Sequence, residues 1–298
     1  MEGGVVERLK HSSKVVLDQY LLHAGFVYEE CYLKELRKIY FQYTEIALKY
    51  QFPILILTPT WRATEQNISQ SKYKDHNVNA DCAKMLINIK KGSDTYNESV
   101  FVGGMMSCKG DTYKAKEALE MNAAEKFHSY QAHELAAAGV DFLYASGMPA
   151  ISEAIGMAKA MSATDKPYII SFIVYDTGHL LDGTPLYDAI KSIDDQVQTP
   201  PYCYMLTCVH PRVFSGAVKS QPADIFNRLI GIQANTSWKR PEELDLLEQL
   251  DVQEPLCFAR EMAQLYDLYG LKIFGGCCGS DNRHMEAIAK HLRRIVPA

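Results

Sequence analysis

Residues 272–279 read Lys-Ile-Phe-Gly-Gly-Cys-Cys-Gly, a short apolar run that ends in glycines and two adjacent cysteines. Ser280 or Asp281 then provides a cap for a final helix that runs to about Arg294. An apolar run, a glycine-rich turn and a helix are typical of one βα unit in a parallel sheet. The same pattern recurs along the chain, so it determines the predicted fold class.

Eight short apolar runs start about 25–45 residues apart, with helix-like stretches such as residues 29–50 and 113–138 between them. This pattern predicts a (β/α)8 TIM barrel as a single domain over residues 1–298. A flavodoxin-like doubly wound sheet is the alternative, but it needs fewer strands. The predicted strands are residues 15–17, 54–57, 100–102, 142–144, 168–175, 203–208, 229–232 and 272–274.

The composition is that of a soluble globular protein, with 47% hydrophobic and 22% charged residues. A formal net charge of −5 argues against nucleic acid and anionic membrane as partners. The charged start of the chain and the absence of a long apolar segment predict a cytoplasmic protein. Eight cysteines in that setting indicate metal or thiol chemistry for some of them, not a disulfide framework.

Three cysteines lie where predicted strands end, which is where a barrel of this kind carries its active site. Cys208 ends the sixth run, and Cys277 and Cys278 follow the eighth. Zinc accepts three thiolates and keeps a fourth position open, where a substrate thiol would lose its proton and become a nucleophile. The pattern therefore predicts a three-thiolate zinc site that acts on a thiol.

Other interpretations of the cysteines and their neighbours stay open at this point. The Cys277-Cys278 pair could be a redox pair instead of a pair of metal ligands. His210 could be a ligand, although a structural role before Pro211 is favoured. The remaining cysteines are interpreted as small buried hydrophobic residues: Cys31, Cys82, Cys108, Cys203 and Cys257.

The Gly-Gly-Cys-Cys-Gly motif at residues 275–279, followed by His284 and a helix, resembles the homocysteine S-methyltransferase family, which includes betaine-dependent enzymes and a module of cobalamin-dependent methionine synthases. The resemblance covers nearly the whole chain. It implies a (β/α)8 barrel, Zn2+ on Cys208, Cys277 and Cys278, and methyl transfer to a thiol such as homocysteine, giving methionine. The zinc-bound substrate thiolate would be the nucleophile, with no separate protein base.

Four further residues are similar to the family's substrate-binding positions. Asp18 resembles the aspartate after the first strand, and Thr58 and Thr60 resemble the Thr-x-Thr-aromatic segment after the second. Ser146 stands where the family has a glutamate that helps to bind the amino group of homocysteine. Gln19 and Thr207 also replace the family's usual residues, glycine after Asp18 and asparagine before Cys208.

These departures leave alternatives for the substrates. The same zinc chemistry could act on a different thiol, or the chain could be a zinc-binding homologue without catalysis. The family's methyl donors are sulfonium compounds, betaine, or methylated corrinoids and folates on other modules, so the expected partners are a small thiol and a methyl donor. A corrinoid protein or a second copy of the chain are further possible partners. The sequence has no Gly-x-Gly-x-x-Gly motif after a first strand, so it does not predict a Rossmann-type S-adenosylmethionine domain.

Overall fold

A curled parallel sheet of seven strands forms the centre of the computed structural model, which describes residues 1–10, 15–239, 243 and 252–296. The spatial order of the strands follows their order in the chain, as in a TIM-like barrel. Seven of the eight predicted strands are thereby confirmed, within a few residues of their predicted bounds. They are β1 Ile54–Leu57, β2 Val100–Ser107, β3 Phe142–Met148, β4 Tyr168–Phe172, β5 Cys203–Val209, β6 Leu229–Ala234 and β7 Ile273–Gly276.

Helices connect successive strands, and their apolar faces cover the sheet. The helix predicted over residues 29–50 is confirmed, and its stripe of Leu36, Ile39, Tyr40 and Tyr43 is buried. No helix in the described ranges is long and apolar enough to cross a bilayer. The described α-helices are α1 Val6–Lys10, α2 Glu30–Tyr50, α3 Glu65–Gln70, α4 Val78–Lys91, α5 Met121–Ala137, α6 Ile151–Ser162, α7 Leu186–Gln196, α8 Pro211–Val218, α9 Pro255–Tyr269 and α10 Asn282–Ile295.

Two other helix predictions have different outcomes. The final helix begins as predicted, because the Asp281 side chain accepts hydrogen bonds from the backbone N–H groups of Arg283 and His284. The helix predicted over residues 113–138 begins only at Met121. The residues before it form a loop with one 3-10 turn, and this loop reaches over the end of the sheet.

The prediction of a first strand at residues 15–17 is wrong. These residues pair with no strand, and Asp18 makes an antiparallel bridge with Leu22 in a tight turn. Val16 is 76% exposed, while Val15 and Leu17 are partly buried and pack against the core from outside the sheet. Apolar composition alone cannot distinguish a buried strand from such a surface segment.

Seven strands leave the sheet open between β1 and β7, and residues 1–4 lie in this gap. The Glu2 N–H donates to the Leu55 carbonyl at 3.0 Å, and the Gly276 N–H donates to the Glu2 carbonyl at 3.0 Å. This segment therefore bonds to both edge strands, although it is not itself a regular strand. Its position brings Glu2 to the carboxyl ends of the strands, beside the cysteines.

Candidate metal and substrate site

The sulfur atoms of Cys208, Cys277 and Cys278 come together at the carboxyl ends of β5 and β7. All three lie within 4.8 Å of one another, with Sγ–Sγ distances of 2.9 Å for Cys208–Cys277 and 4.0 Å for Cys277–Cys278. Sulfurs on one tetrahedral zinc ion, at about 2.3 Å from it, lie roughly 3.8 Å apart. The Cys277–Cys278 distance matches this spacing and the Cys208–Cys277 distance is shorter, so the three donors match the chemistry of a thiolate zinc site in a cluster slightly more compact than a loaded one.

The backbone is bent sharply at each ligand. Cys208 has φ 53°, in the left-handed region, where the pairing of β5 with β6 shifts register. Gly279 has φ 80°, and a Cβ there would lie 2.0 Å from Thr236 Oγ1. A Cβ on Gly276 would lie 2.2 Å from Ser280 Oγ. The glycines thus permit the turn that the sequence predicts beside the cysteine pair.

One buried asparagine joins the two segments that carry the ligands. The Asn235 side chain donates from Nδ2 to the Cys208 carbonyl at 2.9 Å, and its Oδ1 accepts from the Cys278 N–H at 3.1 Å. The Thr236 N–H donates to the Cys278 carbonyl at 3.1 Å. His210 makes a different contact, because its Nδ1 accepts from the Arg212 N–H and caps α8. The structure thus places His210 in the structural role that the sequence favours.

The three thiols disfavour one another's ionisation. The hydrogen bond with Cys208, together with burial, raises the pKa of the Cys277 thiol well above its usual range. Thiolates this close repel one another in a buried site, so the cluster needs a cation before all three can ionise. A divalent metal supplies that charge and deprotonates coordinating thiols.

A cavity of about 260 Å³ adjoins the cysteines and contains a carboxyl group that sequence reasoning missed. Glu2 is 3% exposed, and its Oε2 accepts from the Leu57 N–H at 2.8 Å. Burial raises the pKa of this carboxyl to about 8. The sequence contains a signal for Glu2. The family that the chain resembles has an aspartate followed by glycine after its first strand, and here an acid followed by glycine occurs at Glu2-Gly3, not at Asp18-Gln19.

Tyr113 also faces the thiols and was likewise missed. Burial raises the pKa of its hydroxyl, as do the three neighbouring cysteines. Its loop is held by Glu153, which accepts from the N–H groups of Lys109 at 2.7 Å and Leu119 at 3.1 Å. No local sequence pattern predicts that Tyr113 faces the thiols, because its loop lies within residues 113–138, for which the sequence predicts a helix.

The four predicted substrate-binding residues lie in different places. Ser146 lines the cavity beside Cys208. Thr58 and Thr60 are fully buried, and their hydroxyls bond to each other at 2.6 Å and to the backbone of Met105. Asp18 is outside the cavity lining, and its Oδ1 accepts from the Tyr20 and Leu21 N–H groups in its own turn. Substrate contacts of these residues stay predictions.

Fold and site together define a class: a parallel βα protein with three cysteine sulfurs close enough to share one metal ion at the carboxyl ends of its strands. A family model for homocysteine S-methyltransferase matches residues 1–292, and the chain belongs to this family.

Known relatives agree with this assignment. Homocysteine S-methyltransferase YbgG of Bacillus subtilis is 23% identical over 201 residues, which cover 64% of this chain and 59% of that protein. The crystal structure of the metallated form of the homocysteine methyltransferase MmuM from Escherichia coli has a TM-score of 0.74 at 16% identity, covering 97% of this chain and 95% of that one. Its oxidized form has a TM-score of 0.76 at 18% identity, covering 97% and 94%. These structural similarities establish a common fold.

Proposed function

We propose that this protein transfers a methyl group to the sulfur of homocysteine, giving methionine, with zinc held by Cys208, Cys277 and Cys278. The convergence of three cysteine sulfurs within 4.8 Å beside a cavity carries the proposal. Membership of the homocysteine S-methyltransferase family supports the reaction, and a metallated form of the structural relative MmuM supports the metal.

Zinc on three thiolates would lower the pKa of a thiol that binds to its fourth position and so make that sulfur nucleophilic at neutral pH. Residues that hold the three cysteines in place would position the substrate sulfur. Asn235 holds the Cys208 and Cys278 backbones together, and Ser280 accepts from the Gly4 N–H and donates to the Cys277 carbonyl. No protein base would be needed, because a thiol that binds to zinc would release its proton to solvent.

Glu2 would recognise the ammonium group of homocysteine. Ser146 lines the same cavity but carries no charge, so it cannot replace the family's glutamate by itself. Glu2 supplies a carboxyl group in that cavity, and a bound ammonium would lower its pKa from about 8 and favour the carboxylate. This arrangement favours homocysteine over an acceptor that lacks an amino group.

The methyl donor would be a small molecule such as a sulfonium compound or betaine. A cavity of about 260 Å³ offers little room beyond the thiol and one compact donor. A methylated corrinoid would have to be presented by a partner protein. Turnover with homocysteine and each of these three donors distinguishes them.

Two further assignments complete the proposal. Residues 1–4 would take the position of the first strand in an eight-membered barrel, because they bond to both β1 and β7. The protein would act in the cytoplasm, since a site built from reduced thiols is stable in a reducing compartment.

Metal analysis of purified protein tests the zinc site directly. We expect about one zinc per wild-type chain and less than a tenth of that in Cys208→Ser and Cys278→Ser, because two thiolates bind zinc much more weakly than three. Methyl transfer to homocysteine should fall in parallel. Cys31→Ser changes a cysteine outside the cluster and serves as the matched control. Cys31 and Cys257 are exposed, so the prediction that they are buried is wrong, whereas Cys82, Cys108 and Cys203 are buried as predicted.

Full zinc occupancy in either ligand variant would refute the metal assignment. A zinc-loaded wild type that transfers no methyl group from any of the three donors would refute the catalytic assignment and favour a non-catalytic zinc protein. Cys31→Ser must retain both zinc and activity for these comparisons to stand.

A further inference from the structure

His23 lines the cavity beside the cysteines, and neither nitrogen of its ring has a hydrogen-bond partner. The side chain is 1% exposed. Burial lowers the pKa of this imidazole to about 3, so the ring is neutral at pH 7, with one N–H donor and one acceptor nitrogen. A buried polar group without a partner destabilises the protein, so its retention needs an explanation.

The other buried histidines each have a protein partner. His128 bonds to Glu153 at 2.9 Å, His210 caps α8, and His284 bonds through Nε2 to the Gln253 carbonyl at 2.9 Å. Their rings support the fold. Within the described part of the chain, His23 differs from them because both of its ring nitrogens are unpaired and it lines the cavity.

The backbone around His23 fixes the ring in place without help from the ring's own hydrogen bonds. The His23 carbonyl accepts from the Phe26 N–H at 3.2 Å, at the start of a 3-10 helix over Ala24–Tyr28. Leu21 and Ala24 on either side are fully buried. A Cβ on Gly25 would lie 2.2 Å from the Tyr73 ring, so this turn is packed tightly. The imidazole is therefore held at the cavity in advance of any ligand.

The cations that line the cavity are at least partly engaged with other protein groups, and its acids carry the wrong sign to bind a carboxylate. The Arg62 Nη1 donates to the carbonyls of Cys108, Lys109 and Gly110. The ammonium group of Lys10 donates to Glu7 at 2.7 Å. Glu2 is an acid, as are the three thiols. A substrate carboxylate in this cavity thus meets one buried, unpartnered N–H donor, that of His23.

We propose that His23 determines specificity by donating a hydrogen bond from its ring to a carboxylate oxygen of a bound substrate. The inference rests on the proposed function and extends it. The carboxylate belongs either to the thiol, opposite the ammonium that Glu2 holds, or to the methyl donor. Both sources present the same chemistry to the ring, and binding experiments separate them.

The thiol arm uses protein loaded with Co2+, whose visible absorption changes when a thiol binds to the metal. Homocysteine is compared with 3-aminopropanethiol, which has the same chain without the carboxylate. If the thiol is the source, His23→Phe raises the dissociation constant of homocysteine about 10- to 100-fold and leaves that of 3-aminopropanethiol within about 2-fold. His23→Gln, which keeps an N–H donor, recovers part of the loss.

The donor arm uses the zinc-loaded protein and compares betaine with trimethylsulfonium, which lacks a carboxylate, as inhibitors or substrates. If the carboxylate belongs to the methyl donor, His23→Phe weakens betaine binding about 10- to 100-fold and leaves trimethylsulfonium binding unchanged. His133→Phe, on the exposed face of α5, is the matched control and should change neither arm.

In either arm, a loss of affinity that is confined to the ligand with a carboxylate supports the proposal. Equal losses for ligands with and without a carboxylate, or no loss in both arms, overturn it and leave His23 a structural residue. If the wild-type Co2+ protein shows no absorption change with any thiol, the proposed function itself fails. That outcome is distinguishable because it appears before any substitution at residue 23.

Discussion

Cys208 has a left-handed backbone conformation, φ 53°, which a residue with a Cβ seldom adopts. The strand would otherwise point successive side chains to opposite faces, and the register shift between Thr207 and Val209 breaks that alternation. The sulfur is thereby directed toward Cys277 at the rim of the sheet. Local strain at this residue thus brings its sulfur into the three-cysteine cluster.

The carboxyl group of Glu2 gives a prediction at the same scale. Glu2→Gln should raise the dissociation constant of homocysteine about 10- to 100-fold, because a charge-assisted hydrogen bond to the ammonium is lost. Binding of 4-mercaptobutanoate, which lacks the amino group, should be unchanged. Both constants are measured from the absorption of Co2+-loaded protein, and Glu30→Gln on the exposed face of α2 is the control.

Restoring the family's glutamate provides a second test of the same idea. Ser146→Glu in the Glu2→Gln background places a carboxyl group back in the cavity and should recover most of the homocysteine affinity. Equal weakening of both thiols by Glu2→Gln would contradict a role in recognising the ammonium. Failure of Ser146→Glu alone would mean only that residue 146 is too far from the ammonium.

At the scale of elements, the site depends on how the ends of β5, β6 and β7 are joined. The two ligand segments are far apart in sequence, and Asn235, just after β6, bonds to both. The Cys277 N–H also donates to the Ala234 carbonyl at 2.7 Å. Three neighbouring strand ends therefore hold the sulfurs in one arrangement before any metal binds.

Asn235→Ala should weaken zinc binding about 10- to 100-fold, the usual effect of removing a residue that orients metal ligands. The side chain contacts backbone and not the metal donors, so all three sulfurs remain. Competition with a chelator of known affinity measures the change, and Asn88→Ala on the exposed side of α4 is the control. Unchanged zinc affinity in a folded Asn235→Ala protein would show that the strands alone position the cysteines.

For the molecule as a whole, local patterns predict the parts of the fold that local sequence encodes. Seven strands, the cap at Asp281 and the turn around Cys277-Cys278 follow from apolar runs, capping residues and glycines. The position of residues 1–4 does not, because it depends on hydrogen bonds to strands that lie far along the chain. The same long-range placement brings Glu2 to the cavity, whereas local sequence patterns predict Asp18 for that role.

Burial of Glu2 also has a consequence for the stability of the whole protein. The pKa of the Glu2 carboxyl is about 8 in the folded protein, against an ordinary value of 4.5 that applies to the unfolded chain. Between these pH values the folded protein therefore holds one more proton than the unfolded chain. The free energy of unfolding therefore falls as pH rises from about 4.5 to 8, by up to roughly 1.4 kcal/mol per pH unit. The stabilisation that comes from the raised pKa of Glu2 is fully present below pH 4.5 and is lost above pH 8.

Glu2→Gln removes the titrating group and should remove this slope. Urea unfolding of the metal-free proteins between pH 5 and pH 8.5 measures the difference between wild type and variant. Titrating groups that do not interact with Glu2 cancel in this difference, whereas the buried Met1 ammonium, whose pKa is about 6, is coupled to Glu2 and contributes to it. We expect the variant to gain stability relative to wild type by about 3–5 kcal/mol across that range. Parallel curves for the two proteins would mean that the Glu2 carboxyl is hydrated in the folded state, which would also weaken its assignment to the buried gap between β1 and β7.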